Sequence, residues 1–322
     1  MNYILRKADT KEEIENVKNL EYEDNVDKIF LSFGFTTPTV LRCGDKVELY
    51  NTADDVIVFR GVITTVNQSK EKEFDYSGYD VGFYLQKNEL TTQYKNNTFE
   101  YILKDVCKKC ELEVGQFPDI NKAKYTHIYR KTTAEDILKD AYDNAVKNGI
   151  ENKYFFDCKD GKISLKPYEE SEDMRGVISL MGQIDTFEYI KDFNISKSIV
   201  DLKNYVEIFT DNSVNNKNTD KPDGLAKDDT SINTYGLLRY AQDLDKDTTQ
   251  NPQTVANTVL KELNKVDNII TMTVFGNYKL HKGLVTTIES DKIGLNGQYK
   301  LLSSRHSIHA IDEEVRIKVE KQ

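Results

Sequence analysis

Two cysteines have the spacing that could support metal or redox chemistry. Cys107 and Cys110 lie three positions apart, which is the spacing of half a zinc site or of a redox dithiol. A tetrahedral zinc ion needs four ligands, and the sequence has no second CxxC and no matching Cys/His pair. The pair also follows a helical pattern instead of a strand-to-helix turn, so we interpret it as two structural thiols.

Histidines and carboxylates form the other candidate groups. His306 and His309 lie among strand-forming residues, where an offset of three directs side chains to opposite faces, so a shared metal is disfavoured. Adjacent carboxylates occur at Asp228 and Asp229 and at residues 169–170. With 54 acidic residues such pairs arise by chance, and without an apolar pocket to separate their pKa values they indicate solvated surface.

The common catalytic motifs are absent from the sequence. There is no GxSxG, no P-loop, no GxGxxG and no HExxH. The chain contains no Trp, which argues weakly against carbohydrate binding, although its 19 Tyr could supply the stacking surfaces. We therefore predict no catalytic, cofactor-binding or metal-binding residues, no cofactor, and a protein that is not an enzyme.

Length and charge limit the possible classes. A chain of 322 residues is long enough for two or three compact units. Its net charge of -10 argues against specific nucleic-acid binding, since phosphate backbones are repelled. The absence of a long apolar run or a charged-then-apolar leader predicts no membrane span and no signal peptide, hence assembly in a cytoplasm. The four cysteines then fit reduced thiols.

Two similar β patterns stand at opposite ends of the chain. Residues 44–90 contain short apolar-alternating runs separated by turns, which predict an antiparallel meander. The last forty residues repeat the order, and Val315, Ile317 and Val319 alternate with charged residues as in a half-buried strand. The repetition indicates either a duplicated barrel or chance agreement between ordinary hairpins.

Helical patterns lie between these β units. One helix is predicted from Phe99, and a second over residues 133–148, with a capping box at Thr132 and Glu135 and a terminator at Gly149. A hairpin is predicted around Asp160-Gly161. These signals predict a small α/β unit inserted over about residues 95 to 180.

A polar stretch and another helix precede the closing β unit. Residues 210–233 contain few apolar side chains, which predicts a long exposed loop, disordered in the free protein. Asn251 and Pro252 then have the cap and first-turn chemistry of a helix start.

Four ordered segments carry a family resemblance that covers nearly the whole chain. In chain order they are first GDKVELYN with IVFRGVITTVNQ and EFDYSGYDVGFYLQKNE, second KTTAEDILKDAYDNA with FDCKDGKISLKPY, third ISKSIVDLKNYVEIF, and fourth INTYGLLRYAQDLD followed by QTVANTVLKEL and GLVTTIESDKIGLNGQYKLLSSRHSIH. Together they resemble the baseplate hub proteins of contractile phage tails, in the XkdQ/YqbQ group of PBSX-like prophages. That group is related to late control protein D and to the hub part of valine-glycine-repeat secretion tip proteins.

The resemblance implies an α+β, mainly β fold. Two tail-tube-like antiparallel β-barrel units are expected over residues 1–94 and 183–322, with a small α/β domain over 95–182 between them. The second unit would include the polar loop 210–233 and a helix over 252–265.

The implied function is structural. In such hubs a homotrimer adapts a hexameric tail tube to a trimeric spike, so the expected partners are further copies of the chain, the tube protein, the spike protein and other baseplate proteins. The expected location is a virion or tail particle assembled in the host cytoplasm. The chain stops at Gln322 without a glycine-valine repeat, so the spike is expected to be a separate protein.

Two other functions stay open at this point. A peptidoglycan hydrolase would need a paired acid and base in a cleft, and a surface-binding module would act outside the tail structure. The sequence also leaves open whether the particle is an infectious phage or a phage-tail-like bacteriocin.

Overall fold

Strands dominate this chain, and most of them pair antiparallel. The computed structural model describes residues 3–70, 72–120, 124–147, 154–170, 190–210, 221–244, 251–275, 278–290, 294–309 and 313–321. The mainly β fold class predicted from the sequence is confirmed.

The first β unit contains the predicted meander. Its strands are β1 Tyr3–Lys7, β2 Lys18–Asn25, β3 Ser32–Thr37, β4 Lys46–Asn51, β5 Val56–Lys70 and β6 Glu73–Tyr79. They pair antiparallel in the order β1-β4-β5-β6-β3-β2. The side chains of Phe33, Phe35 and Phe59 are at most 4% exposed and lie in one apolar core. Gly78 gives the Phe33 ring its space, since a Cβ there would lie 2.5 Å from the ring.

The inserted part alternates helices with short strands. Its elements are α1 Gly82–Lys87, β7 Glu89–Thr98, α2 Phe99–Lys109, β8 Lys124–Thr133, α3 Ala134–Lys147, β9 Tyr154–Asp157, β10 Ser164–Pro167 and β11 Glu169–Glu170. Both predicted helices and the hairpin β9–β10 are present. The predicted capping box is wrong by one residue, because Thr133 caps α3 and exchanges hydrogen bonds with Asp136. Gly149 lies outside the described residues.

A second compact unit spans Ile195–Ile269. Strand β12 Ile190–Ser198 enters it, followed by β13 Tyr205–Thr210, β14 Gly224–Lys227, α4 Asp229–Tyr235, β15 Arg239–Leu244 and α5 Pro252–Leu263. Strand β13 pairs antiparallel with β14 and parallel with β15. Asn251 caps α5 as predicted, accepting hydrogen bonds from the backbone of Gln253 and Thr254.

The predicted continuous loop over residues 210–233 is wrong for its second half. Strand β14 and helix α4 occupy most of residues 224–235, and residues 211–220 lie outside the described parts. Gly224 allows close packing on α5, because a Cβ there would lie 2.3 Å from the Pro252 oxygen. Asp228 then caps α4 by accepting from the backbone N–H groups of Thr230 and Ser231. Local capping and one tight contact thus order a segment whose composition is polar.

Asn204 organises the turn after α4. Its side chain is fully buried, and its Oδ1 accepts a hydrogen bond from the Leu238 backbone at 2.8 Å. Its Nδ2 donates to the Gly236 carbonyl at 2.8 Å. Gly236 has a φ of 85°, which favours glycine at this turn. One buried amide therefore connects β13 to the turn between α4 and β15.

The closing β unit completes a 12-stranded sheet. Its strands are β16 Asp267–Phe275, β17 Leu284–Ser290, β18 Leu295–Ile308 and β19 Glu313–Lys321. Pairing of β18 with β2 joins the first and last β units, and the order continues β18-β19-β16-β12. Val315, Ile317 and Val319 are at most 1% exposed, as their alternation predicts.

The chain divides into two compact units. One contains Met1–Asn194 with Ile270–Gln322, and the other contains Ile195–Ile269. Within the first unit, separate apolar cores underlie the first β unit, the inserted part and the closing β unit. The predicted domain boundaries at residues 94 and 182 stay predictions. Among the described residues, no helix is long and apolar enough to cross a membrane.

Candidate assembly site

The first and last β units meet along a paired seam between β2 and β18. Six residue pairs form this antiparallel register, from Ser303 opposite Asn25 to Ile308 opposite Leu20. Three of its buried positions hold polar residues, Asp24, Ser304 and His306, where apolar ones would be expected. We call the buried polar residues of β2, β18 and β19 and those bonded to them the polar seam.

His306 is the centre of the polar seam. Its ring is fully buried and lies flat on Tyr22, with ring centroids 4.2 Å apart. Its Nδ1 lies 2.6 Å from a carboxylate oxygen of Glu313, and its Nε2 lies 2.9 Å from the Leu280 carbonyl oxygen. Nε2 also lies 3.1 Å from the Ser304 hydroxyl, so both ring nitrogens have hydrogen-bond partners within the seam.

The same carboxylate reaches the first strand of the chain. Tyr3 donates to the second oxygen of Glu313 at 2.6 Å. Burial, reinforced by the charge of Glu313, raises the pKa of Tyr3 well above its ordinary value, so the phenol stays a donor. Through Glu313 and His306, β1 is connected to β18 and β19.

A buried lysine extends the seam toward the inserted part. Lys282 is 3% exposed, and its Nζ donates to the carbonyls of Asn25 and Lys28 at 3.2 Å each. Its backbone N–H donates to Asp24, which also accepts from Ser304 at 2.7 Å. The lysine holds the turn between β2 and β3 against the loop that precedes β17.

Burial and charge act in opposite directions on two aspartates near Lys282. Burial raises the pKa of Asp80 to about 7, although the charge of Lys282 opposes the rise. Burial would also raise the pKa of Asp157, but the cations Lys159 and Lys166 outweigh it and hold that pKa at about 2. Asp157 accepts a hydrogen bond from Lys166 at 2.6 Å. Of these two aspartates, Asp80 is the one whose pKa lies near neutral pH.

His281 adjoins this cluster as a neutral ring. Burial and the nearby charge of Lys159 lower its pKa to about 4. Its Nδ1 lies 2.8 Å from the Lys282 carbonyl oxygen. Both histidines of this region are hydrogen-bonded to the protein, and His306 is fully buried.

The candidate residues from the sequence do not converge on one place. Cys107 lies in the core of the inserted part, where burial raises its pKa to about 12, and Cys110 follows the end of α2. His309 follows the end of β18, while His306 lies within it. Asp228 caps α4, and its neighbour Asp229 pairs with Lys227.

The remaining pair, residues 169–170, forms the short strand β11, which pairs parallel with β17. Among the described residues, no group of three His, Cys, Asp or Glu side chains could hold a metal ion. The absence of catalytic, cofactor and metal residues stays a prediction. The polar groups of the seam hold its strands together through hydrogen bonds.

Sequence reasoning missed the polar seam. Its members are separated by up to 310 positions along the chain, so spacing gives no sign of their contact. The strand pattern nevertheless contains a signal. Ser304 and His306 lie on the same face of β18 as the apolar Ile308, and Glu313 lies on the same face of β19 as the apolar Val315. Polar residues at the apolar positions of a strand indicate a buried hydrogen-bonded network.

A comparison with protein families decides the affiliation. A family model described as YQBQ-like matches residues 16–320. The chain belongs to the YQBQ-like family. This confirms the resemblance to the XkdQ/YqbQ group of prophage tail proteins. No curated protein matches the chain.

Solved structures share the fold of this YQBQ-like chain at low sequence identity. A 43 kDa tail protein of prophage MuSo2 from Shewanella oneidensis has a TM-score of 0.71 and 12% identity, covering 100% of this chain and 98% of that one. A tail protein from Neisseria meningitidis MC58 has a TM-score of 0.69 and 16% identity, covering 100% and 96%.

A secretion-system protein shares the fold more distantly. The c3393 protein of E. coli, a type VI secretion component described as similar to the T4 tail proteins gp27 and gp5, has a TM-score of 0.54 and 11% identity. The match covers 99% of this chain and 76% of that one. At these identities the likeness shows the fold, which is that of prophage tail proteins.

Proposed function

We propose that this YQBQ-like chain is the structural baseplate hub of a contractile phage tail or phage-tail-like bacteriocin. Three copies form a symmetry adaptor that joins a hexameric tail tube to a trimeric spike. The family membership supports a structural role in a tail. The described likeness of its neighbour to gp27 and gp5 supports the hub position.

The observation that carries the proposal is the β2–β18 pairing. An adaptor of this kind presents two tube-like units per chain, so that three copies offer six. Here strands from the two ends of the chain lie in one continuous sheet, with separate apolar cores on either side of the pairing. The polar seam fixes their register, because a shift by one residue would turn His306 and Ser304 away from Glu313 and Asp24.

Such a hub acts through binding alone. Its partners are further copies of this chain, the tube protein, the spike protein and other baseplate proteins, without a membrane span and without specific nucleic-acid recognition. It resides at the baseplate end of the tube in a virion or tail particle that assembles in the host cytoplasm. Catalysis has no role in this proposal.

Electron microscopy of purified tails tests the position. An affinity tag added after Gln322 and labelled with gold is expected at one end of the tube, at the spike. Native mass spectrometry of the tagged chain with its spike is expected to give equal numbers of the two proteins. Gold along the whole tube, or particles without gold, would contradict the proposal.

A further inference from the structure

The ribbon formed by β7 and β8 has one packed face. Tyr94 donates to Asp105 of α2 at 2.8 Å, and Tyr129 donates to Asp140 of α3 at 2.6 Å. Both rings are at most 5% exposed. A two-stranded ribbon is marginally stable alone, so these buried tyrosines fix its position on the two helices.

The other side of this ribbon is cationic. Over residues 89–98 and 124–133 the charges are four cations and one carboxylate, Glu89, which gives 4 - 1 = +3 in a chain of net charge -10. The cations are exposed, and among the described residues they have no ion-pair partner. They are Lys95, Lys124, Arg130 and Lys131. Ile128 lies on the same ribbon with 54% of its surface exposed. We call this surface the cationic ribbon.

A surface of equal and opposite charge lies near the start of the chain. Residues 9–15 contain four carboxylates and one lysine, which gives 1 - 4 = -3. All four carboxylates are exposed. They belong to Asp9, Glu12, Glu13 and Glu15. Glu12 pairs with Lys7 at 2.7 Å, which leaves three carboxylates without an ion pair among the described residues. We call residues 9–15 the acidic loop.

The acidic loop is held in place by the first β unit. Ile14 is 2% exposed in the core, and its N–H donates to the Leu5 carbonyl at 2.9 Å. Lys11, the one cation of the loop, lies 2.8 Å from the buried Glu48, which also binds Arg6 at 2.6 Å. The lysine is thus directed inward, and the loop presents carboxylates to solvent from an ordered backbone.

We propose that in the hub the cationic ribbon of one copy docks on the acidic loop of the next copy. The proposal rests on the homotrimer proposed above. Copies that each carry -10 repel one another overall, so their contact needs a place where unlike charges meet. A contact between two different surfaces of the same chain is heterologous, and three such contacts close a ring when each rotates the next copy by a third of a turn. Ile128 supplies an apolar centre to a polar contact.

Charge reversal of each surface tests this contact in tail assembly. A strain that produces the tails is given ribbon-reversed, loop-reversed or doubly reversed chain in place of its own. The ribbon substitutions are K124E, R130E and K131E, and the loop substitutions are D9K, E13K and E15K. A matched control reverses three exposed lysines outside both surfaces with K108E, K197E and K261E.

Each single-surface reversal is expected to lower the yield of complete tails about tenfold or more, because it places like charges opposite each other. The doubly reversed chain is expected to recover most of the yield, and the control is expected to assemble normally. Thermal unfolding of each purified chain checks that folding is retained.

Three outcomes would overturn the docking proposal. If the single-surface reversals assemble as well as the control, the two surfaces do not dock on each other. If the loop reversal does not restore the tail yield of the ribbon-reversed chain, the cationic ribbon binds a different protein. If the control loses as much tail yield as the ribbon-reversed chain, the loss comes from the change in net charge and not from a specific contact. A gold label away from the spike would instead refute the proposed function, so the two failures are distinguishable.

Discussion

Asp80 gives the structure a measurable pH dependence near neutrality. Its carboxyl group is 1% exposed, and Oδ1 accepts a hydrogen bond from the Gly82 N–H at 2.9 Å. Burial raises its pKa from 3.8 to about 7, with Lys282 opposing and Asp157 reinforcing the rise. In the D80N variant the amide oxygen retains the Gly82 contact while the charge disappears.

The direction of the pH effect on stability follows from the number of protons that the folded and unfolded chains bind. Between about pH 4 and pH 7 the folded chain holds a proton on Asp80 that the unfolded chain releases. This stabilisation is complete below the unfolded pKa and is lost as pH rises through the folded pKa. At 1.36 kcal/mol per unit of pKa, the change from 3.8 to about 7 corresponds to about 4 kcal/mol.

The measurement is urea unfolding of wild type and D80N at several pH values. The difference in free energy of unfolding isolates Asp80, because its coupled neighbours titrate outside this pH range: the pKa of Asp157 is about 2, and that of Cys158 is raised well above its ordinary value. D80N is expected to gain up to about 4 kcal/mol relative to wild type between about pH 4 and pH 8. A difference that stays constant over this range, or that moves in wild type's favour, would refute the assignment of a buried, uncharged carboxyl group.

Four further substitutions test other parts of the structure. Replacing either member of the buried hydrogen-bonded pair, in H306N or E313Q, is expected to cost about 1 to 3 kcal/mol, because the partner loses its hydrogen bond. The double variant is expected to lose less than the sum of the two, and additive losses in urea unfolding would contradict the pair. Asn204→Ala is expected to cost about 1 to 3 kcal/mol, because buried partners lose their hydrogen bonds. Hydrogen exchange should rise within Ile195–Ile269, and uniform loss across the chain would contradict a local role. Gly283→Ala is expected to lower the melting temperature strongly, since φ is 84° and a Cβ would lie 1.9 Å from the Phe155 ring; an unchanged melting temperature would contradict this packing.

Local elements could be predicted from the sequence where one pattern decides the structure. The alternation of Val315, Ile317 and Val319 gave a strand with one buried face, and the Asn251 cap gave the start of α5. The helix α3 was predicted within one or two residues, although its cap is Thr133 instead of Thr132. Capping and alternation act over a few residues, so the sequence shows them directly.

Long-range features could not be predicted in this way. Nothing local indicates that β2 pairs with β18 across some 280 residues, because pairing depends on where the whole chain brings the strands. The predicted loop over residues 210–233 was wrong in its second half for a related reason. Its order depends on Gly224 packing against α5 and on Asp228 capping α4, and composition alone registers neither contact.

The copy number of this chain in tail particles tests the hub assignment most directly. Quantitative mass spectrometry on purified tail particles would measure this chain against the spike and tube proteins. The account predicts a copy number equal to that of the trimeric spike and far below that of the tube. Absence of the chain from particles, or a copy number equal to that of the tube protein, would contradict it.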